Sequence, residues 1–273
     1  MTEYGPYDSQ GRDYSQNDQY GGYSETRTSI NDEDLQRMMR DDEPSFMDRY
    51  GYCIVTFVLI AVNVVVFVIE CVMSGSVLSV DSVTLINMGA MFAPMMNSPA
   101  DLYRLVTPMF LHVDIEHLLF NMLALYSVGI MLEGVLGRWN YLLLYFIAGI
   151  TGNLACYVTS MVSGELVISA GASTSIFGLF VAAALLGVLS KNGRNVLMEY
   201  SKGFLGVILF NIIYSLLVPG VSIAGHMGGA IGGLIAMFMV PSKNLRVPPA
   251  VRIVVSVIWV LVVVLLLVTF GVF

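Results

Sequence analysis

An apolar segment begins at the stretch GASTSIFGLF, residues 171–180, which places a cluster of small hydroxyl residues at the start of a helix. The bilayer core has no water to satisfy a stray hydroxyl, so polar residues in a membrane helix indicate a functional site. Small residues also let membrane helices pack closely, and this stretch alone fits packing better than chemistry. Two distant stretches, HLLFN at 117–121 and GHMGG at 225–229, reverse that preference. Together the three stretches predict a serine nucleophile, a base and an oxyanion pocket.

The composition is typical of a polytopic membrane protein. Of the 273 residues, 56% are apolar, the mean hydropathy is +0.76, and the apolar runs are longer than buried core helices. We count seven spans, at residues 51–73, 116–136, 139–162, 172–190, 203–218, 223–241 and 251–273. The predicted fold class is therefore an all-α bundle of seven transmembrane helices in the lipid bilayer.

The net charge of −7 belongs to the N-terminal tail. Residues 1–49 hold 12 of the 20 Asp and Glu but only 5 of the 13 Lys and Arg, which leaves 8 of each sign for the rest of the chain. Because no segment has a basic surplus, we expect no nucleic-acid partner. Residues 1–48 nearly lack aliphatic side chains and are predicted to be a disordered acidic tail, which a cytoplasmic protein partner could bind.

The basic residues predict the orientation. Seven alternating spans place 12 of the 13 Lys and Arg on the side of the N terminus and one, Arg104, on the other. Positive charge stays in the cytoplasm, so we expect a multi-pass cell-membrane protein with a cytoplasmic N terminus and an extracytoplasmic C terminus. Arg104 lies in the long outer loop Ser74–Asp114, where it either binds lipid phosphate or loop carbonyls or is simply solvated.

The cysteines indicate neither a disulfide nor a metal site. Cys53, Cys71 and Cys156 lie in or at the ends of apolar segments, where a thiol behaves as a small hydrophobic group. We therefore expect no metal and no organic cofactor.

The polar stretches are predicted to meet at one depth. The second, fourth and sixth spans all run from outside to inside, and His117, Asn121, Ser173 and His226 fall in their first turns, in the outer leaflet. His117 and Asn121 are four residues apart, so both can donate hydrogen bonds from one face of a helix, as an oxyanion requires.

The sixth span carries a ridge of glycines on one face. Gly225, Gly229 and Gly233 are spaced by four, so the backbone of a second helix can approach closely. The small face of the fourth span is the natural partner. Such packing would bring the imidazole of His226 within reach of the Ser173 hydroxyl, as a general base requires.

These features resemble the rhomboid family of intramembrane serine proteases, in its six-plus-one transmembrane form. The resemblance covers the chain from about residue 51 onward. It rests on Gly171-Ala172-Ser173 with Phe177 one turn later, on His117 four residues before Asn121, on His226 in a glycine-rich helix, and on Tyr103-Arg104 in place of a Trp-Arg pair. It implies a six-helix protease core at 49–241, followed by a cytoplasmic loop and a seventh helix at 242–273.

The resemblance also implies roles for single residues. Ser173 is the nucleophile and His226 the base of a dyad, while the Ser173 amide, His117 and Asn121 stabilise the oxyanion. Phe177 lies against the His226 ring, and a further set has supporting or structural roles: His112, Gly171, Gly229 and Glu133. The implied substrates are single-span membrane proteins, cut in or near the outer-leaflet part of their helices.

Three alternatives stay open at this point. Thr174 replaces the glycine that usually follows the serine and could crowd the substrate, and Ser175 is a rival nucleophile, although the Gly-x-Ser pattern and the step to Phe177 select Ser173. The protein could instead be an inactive relative that binds transmembrane helices. A transporter is the third reading, but the polar residues stop in the outer leaflet instead of crossing the bilayer.

Overall fold

The computed structural model describes residues 51–191, 197–198, 201–209 and 222–273. The tail predicted at 1–48 and the second half of the predicted fifth span, 210–218, lie outside these residues. The predictions made for them therefore stay predictions.

The described part of the chain consists mainly of apolar helices, and one of the connections between them is a long structured loop. The helices are α1 (Ile54–Ser74), α2 (Ser82–Asn87), α3 (Ile115–Leu136), α4 (Arg138–Ser163), α5 (Ser173–Leu189), α6 (Ile223–Met239) and α7 (Pro249–Thr269). Two short strands, β1 (Met91–Phe92) and β2 (Ile168–Ser169), pair antiparallel. Residues 201–209 are also helical.

Six of the predicted spans coincide with a described helix, with ends that differ from the prediction by at most four residues. Helices α1, α3, α4 and α7 are long and apolar enough to cross a membrane, whereas α5 and α6 have 17 residues each. At a rise of about 1.5 Å per residue, 17 residues span about 26 Å, close to the hydrocarbon thickness. The six-residue α2 belongs to the loop between α1 and α3.

Side chains and glycines define the helix ends. Asp114 caps α3, where its Oδ1 accepts the His117 N–H at 2.7 Å, and Ser222 caps α6, where its Oγ accepts the Gly225 N–H at 3.1 Å. Helix α4 ends at Gly164, whose φ of +73° favours glycine.

Helix α6 packs tightly between α4 and α5 through two rows of glycines. On one side, a Cβ on Gly233 would collide with the backbone of Gly178, and one on Gly229 would collide with that of Thr174, as the four-residue spacing predicts. On the other side, Gly228 lies against the backbone of α4, where a Cβ would be 3.0 Å from the Thr151 carbonyl oxygen. Lipid supplies no hydrophobic force between helices, so this close packing holds α6 in place by van der Waals contact.

The loop that joins α1 to α3 is anchored by hydrogen bonds to its carbonyls. Arg104 is buried, and its Nη1 donates to the carbonyls of Ile86 (2.8 Å) and Ala90 (3.0 Å). Of the readings for Arg104, binding to loop carbonyls is therefore confirmed and a solvated charge is wrong. In addition, Asn153 of α4 donates to the Leu105 carbonyl at 2.9 Å.

A buried carboxyl group ties α1 to α3. Glu133 accepts the N–H of Val55 at 2.9 Å and both the N–H and the hydroxyl of Thr56 at 2.8 Å. These are free donors at the start of α1, so Glu133 has the structural role that was expected. At the C-terminal end of the chain, the Trp259 ring N–H of α7 donates to the Thr151 hydroxyl of α4 at 3.0 Å.

Replacing Gly233 with alanine is expected to destabilise the bundle, because the new Cβ would displace the backbone of Gly178. Overpacking of this kind costs about 1–3 kcal/mol. The matched control is Gly203→Ala, a helical position with nothing within 4 Å of a Cβ, where alanine should leave stability unchanged or raise it. Thermal or denaturant unfolding in detergent measures both, and equal stability of the two variants would contradict the packing argument.

Candidate active site

Ser173 is the first residue of α5 and follows a turn at Gly171. Gly171 has a φ of +134°, and its N–H donates to the Pro108 carbonyl of the loop between α1 and α3 at 2.8 Å. Ser173 is partly exposed, whereas every other residue of 171–180 is buried. The turn therefore presents the Ser173 hydroxyl at an opening among packed helices.

His226 reaches this hydroxyl from α6. Its Nε2 lies 3.0 Å from the Ser173 Oγ, within hydrogen-bonding distance. The Phe177 ring stacks on the imidazole with a centroid distance of 4.0 Å and an interplanar angle of 15°. The two ring contacts come from one helix, since Ser173 and Phe177 are one turn apart on α5. Close packing of α5 and α6 thus fixes the imidazole against the hydroxyl.

His117 and Asn121 enter from α3. A Cβ on Gly171 would lie 2.7 Å from His117 Cε1, 2.9 Å from His117 Nε2 and 3.4 Å from Ser173 Oγ, so the His117 ring and the serine flank the same small space. Asn121 is buried, and its Nδ2 has no hydrogen-bond partner among the described residues. An unpaired buried donor costs about 1–3 kcal/mol, which is tolerated where a ligand uses it.

His112 lies beside this group but does not contact the Ser173–His226 pair. Its ring is fully buried and packs edge-on against the His117 ring, with centroids 5.2 Å apart. Burial, and to a lesser extent the neighbouring His117, lowers the pKa of His112 to about 3, so its ring is neutral at pH 7.

Thr174 points into the helix interface. Its side chain is buried where α4 and α6 meet α5, and its Cγ2 would be 3.1 Å from a Cβ on Gly225. A Cβ on Gly152 of α4 would lie 2.8 Å from the Thr174 Cβ. The threonine thus fills space between helices, which is a packing role that the sequence did not reveal.

Ser175, the alternative candidate for the nucleophile, lies in the core. Its side chain is fully buried, and its hydroxyl donates to the Met109 sulfur at 3.1 Å. Of the two serines, Ser173 is the one that lies at the imidazole.

Sequence reasoning missed Glu70, which lies in α1 and is fully buried. Its carboxyl group accepts the backbone N–H of His112, next to the His117 ring. The signal was visible in the sequence, since an acidic residue inside an apolar span indicates a function or a specific partner.

The comparisons with known proteins show the family of the chain. A family model described as the Rhomboid domain matches residues 99–243, more than half of the chain. The chain belongs to the rhomboid family. Its apolar helices and its family together make it a multi-pass membrane protein. The rhomboid match contains every residue of the candidate site and excludes Glu70.

The chain is also similar in sequence to several curated rhomboid proteins. The chain is 36% identical over 181 residues to "Rhomboid protease GluP" of Bacillus subtilis, covering 66% of this chain and 34% of the relative. It is 34% identical to "Rhomboid-like protease 3" of Toxoplasma gondii, covering 63% and 64%, and 31% identical to "Rhomboid protease AarA" of Providencia stuartii, covering 71% and 75%. The chain thus spans about a third of the length of GluP.

A methyl group at Gly171 is expected to slow the reaction of Ser173 with a fluorophosphonate, because it would push the His117 ring from its place. A displacement of this size beside a nucleophile lowers the rate at least about tenfold. Gly164→Ala is the matched control: its φ is also positive, at +73°, but nothing lies within 4 Å of a Cβ. If both variants react at the parent rate, Gly171 does not hold open the space beside His117.

Proposed function

We propose that this rhomboid protein is an intramembrane serine endopeptidase that cleaves single-span transmembrane proteins in or near the outer-leaflet part of their helices. The observation that carries the proposal is the 3.0 Å separation of Ser173 Oγ and His226 Nε2 beneath the stacked Phe177 ring. The names of the relatives, which include the word protease, support the same reaction class.

The reaction uses the serine as nucleophile and the histidine as base. His226 Nε2 takes the hydroxyl proton as Ser173 Oγ attacks the peptide carbonyl, and the protonated imidazole then gives that proton to the leaving amine. The products of this step are an acyl-enzyme that holds the N-terminal part of the substrate and a released C-terminal fragment with a new amino terminus. A water molecule, activated by the same imidazole, hydrolyses the ester and restores the serine.

Three donors are proposed to stabilise the tetrahedral oxyanion. The first is the backbone N–H of Ser173, which has no partner within α5 because the first N–H groups of a helix are not used by it. The others are His117, whose ring lies beside Gly171, and Asn121, whose Nδ2 is buried and unpaired in the described part of the chain. Preorganised donors in a dry site act on the charge that develops in the transition state.

The orientation of the protein is part of the proposal. The bias of Lys and Arg supports a cytoplasmic N terminus, an extracytoplasmic C terminus and a site in the outer leaflet. The proposal also includes the division into an acidic tail at 1–48, a core at 49–241 and the terminal segment 242–273. A cytoplasmic partner of the tail belongs to the same proposal.

Cleavage of a model single-span substrate by the purified protein in liposomes tests the function. We expect Ser173→Ala and His226→Ala each to abolish cleavage, because one removes the nucleophile and the other the base. Ser175→Ala is the matched control, since that hydroxyl contacts Met109 in the core, and it should keep cleavage within a few-fold of the parent.

The pattern of results separates the readings. A parent that is folded and binds transmembrane segments but cleaves none would favour a helix-binding protein without catalysis. Loss of cleavage in Ser175→Ala, with Ser173→Ala unaffected, would assign the nucleophile to the other serine.

Replacing Asn121 with alanine is expected to lower kcat about a hundredfold and to leave KM nearly unchanged, because an oxyanion donor acts only in the transition state. The control is Asn63→Ala, which removes another buried amide, one that donates to Leu59 within α1 at 2.7 Å. Steady-state kinetics per folded enzyme measures both. A rise in KM at constant kcat for Asn121→Ala would show a role in substrate binding instead.

A further inference from the structure

Glu70 is an acidic side chain buried inside a membrane helix. It lies one turn before the end of α1, and none of its surface is exposed. It also lies outside residues 99–243, which the rhomboid model matches. Burying a carboxyl group is costly unless its oxygens are hydrogen-bonded, so its partner reveals what it is for.

The partner is the backbone of the loop beside the candidate site. The two carboxyl oxygens of Glu70 lie 3.1 and 3.2 Å from the His112 nitrogen, in a buried position. A buried backbone N–H needs an acceptor, and here no secondary structure supplies one, because His112 lies between a 3-10 turn and α3. Glu70 therefore holds the chain at the point where it approaches the active site.

The ring of His112 is in contact with the ring of His117. The two rings pack edge-on, with their centroids 5.2 Å apart. The backbone position of His112 and its packing against His117 therefore place the His112 ring. The following residues are fixed as well, because Val80 N–H donates to the Val113 carbonyl at 2.8 Å and Asp114 caps α3 at His117.

We propose that Glu70 is a positioning residue for the oxyanion site. Through the backbone of His112 and the His112–His117 ring contact, it holds the His117 ring against Gly171, next to the Ser173 hydroxyl. This inference rests on the proposed function, because it assumes that His117 acts on the oxyanion. It adds α1 to the helices that build the site.

The chain offers a matched control for a purely structural role. Glu133 is also a buried carboxyl group that accepts backbone N–H groups, but its partners are Val55 and Thr56 at the start of α1, the end opposite to Glu70. Both Glu70→Leu and Glu133→Leu remove a buried acceptor and should lower stability. Only Glu70→Leu should change the chemical step.

The first measurement is of kcat and KM for each variant. Rates are expressed per active enzyme, and titration with a fluorophosphonate gives the active fraction. We expect Glu70→Leu to lower kcat about tenfold or more with KM within about twofold, since a displaced oxyanion donor is missed only in the transition state. Glu70→Gln keeps an acceptor oxygen and should stay within about threefold of the parent. Glu133→Leu should keep the parent kcat.

A double-mutant cycle with His117→Ala tests the route. If Glu70 acts through His117, Glu70→Leu should cost no further rate once the ring is gone. Additive losses would overturn the inference, as would an unchanged kcat in Glu70→Leu or equal losses in Glu70→Leu and Glu70→Gln.

A second readout does not depend on proteolysis. The chain has three histidines, at positions 112, 117 and 226, so selective labelling of histidine Cε1 gives three NMR signals, provided that purification avoids a histidine tag. Glu70→Leu should shift the signals of His112 and His117, whereas Glu133→Leu should shift neither. Unmoved signals in Glu70→Leu would refute the positioning role. A parent that fails to cleave, with these signals still shifted in Glu70→Leu, would refute the proposed function and leave only the structural link between Glu70 and His117.

Discussion

The whole site depends on how closely α6 approaches its neighbours. The imidazole of His226 reaches the Ser173 hydroxyl only because glycines replace side chains on both faces of α6, so that backbone meets backbone at Gly233 and Gly178. In lipid, such contact stabilises a helix pair by dispersion and not by exclusion of water. Contacts between main-chain atoms therefore determine how α5 and α6 are placed relative to each other.

Three buried charged side chains bind backbone groups and so connect the segments around the site. Arg104 binds two loop carbonyls, Glu133 binds the start of α1, and Glu70 binds His112. Each of these side chains joins two segments that are distant in sequence.

The sequence was sufficient for six of the described helices and for the side chains that the structure brings together, His117, Ser173, Phe177 and His226, because both depend on patterns within a few residues. Apolar runs predicted six described helices, and the spacing of His117 and Asn121 placed both on one face of α3. It was insufficient for contacts across the bundle. From the sequence, Thr174 was expected to crowd the substrate. In the structure its side chain fills the interface with Gly152 and Gly225, a packing relation that no local pattern encodes. Glu70 was missed for the same reason, since its partner lies 42 residues further along the chain.

The two serines of α5 show that position on the helix, and not residue type, determines which hydroxyl meets the His226 imidazole. Ser173 and Ser175 are separated by about 200° around the helix axis, so they cannot face the same neighbour. Ser175 is turned to the Met109 sulfur in the core, whereas Ser173 is turned to the imidazole at the opening. A rotation of α5 by half a turn would exchange them. The tight contacts of Gly178 and Thr174 with α6 forbid that rotation, so the glycine packing that brings the histidine close also determines which hydroxyl it meets.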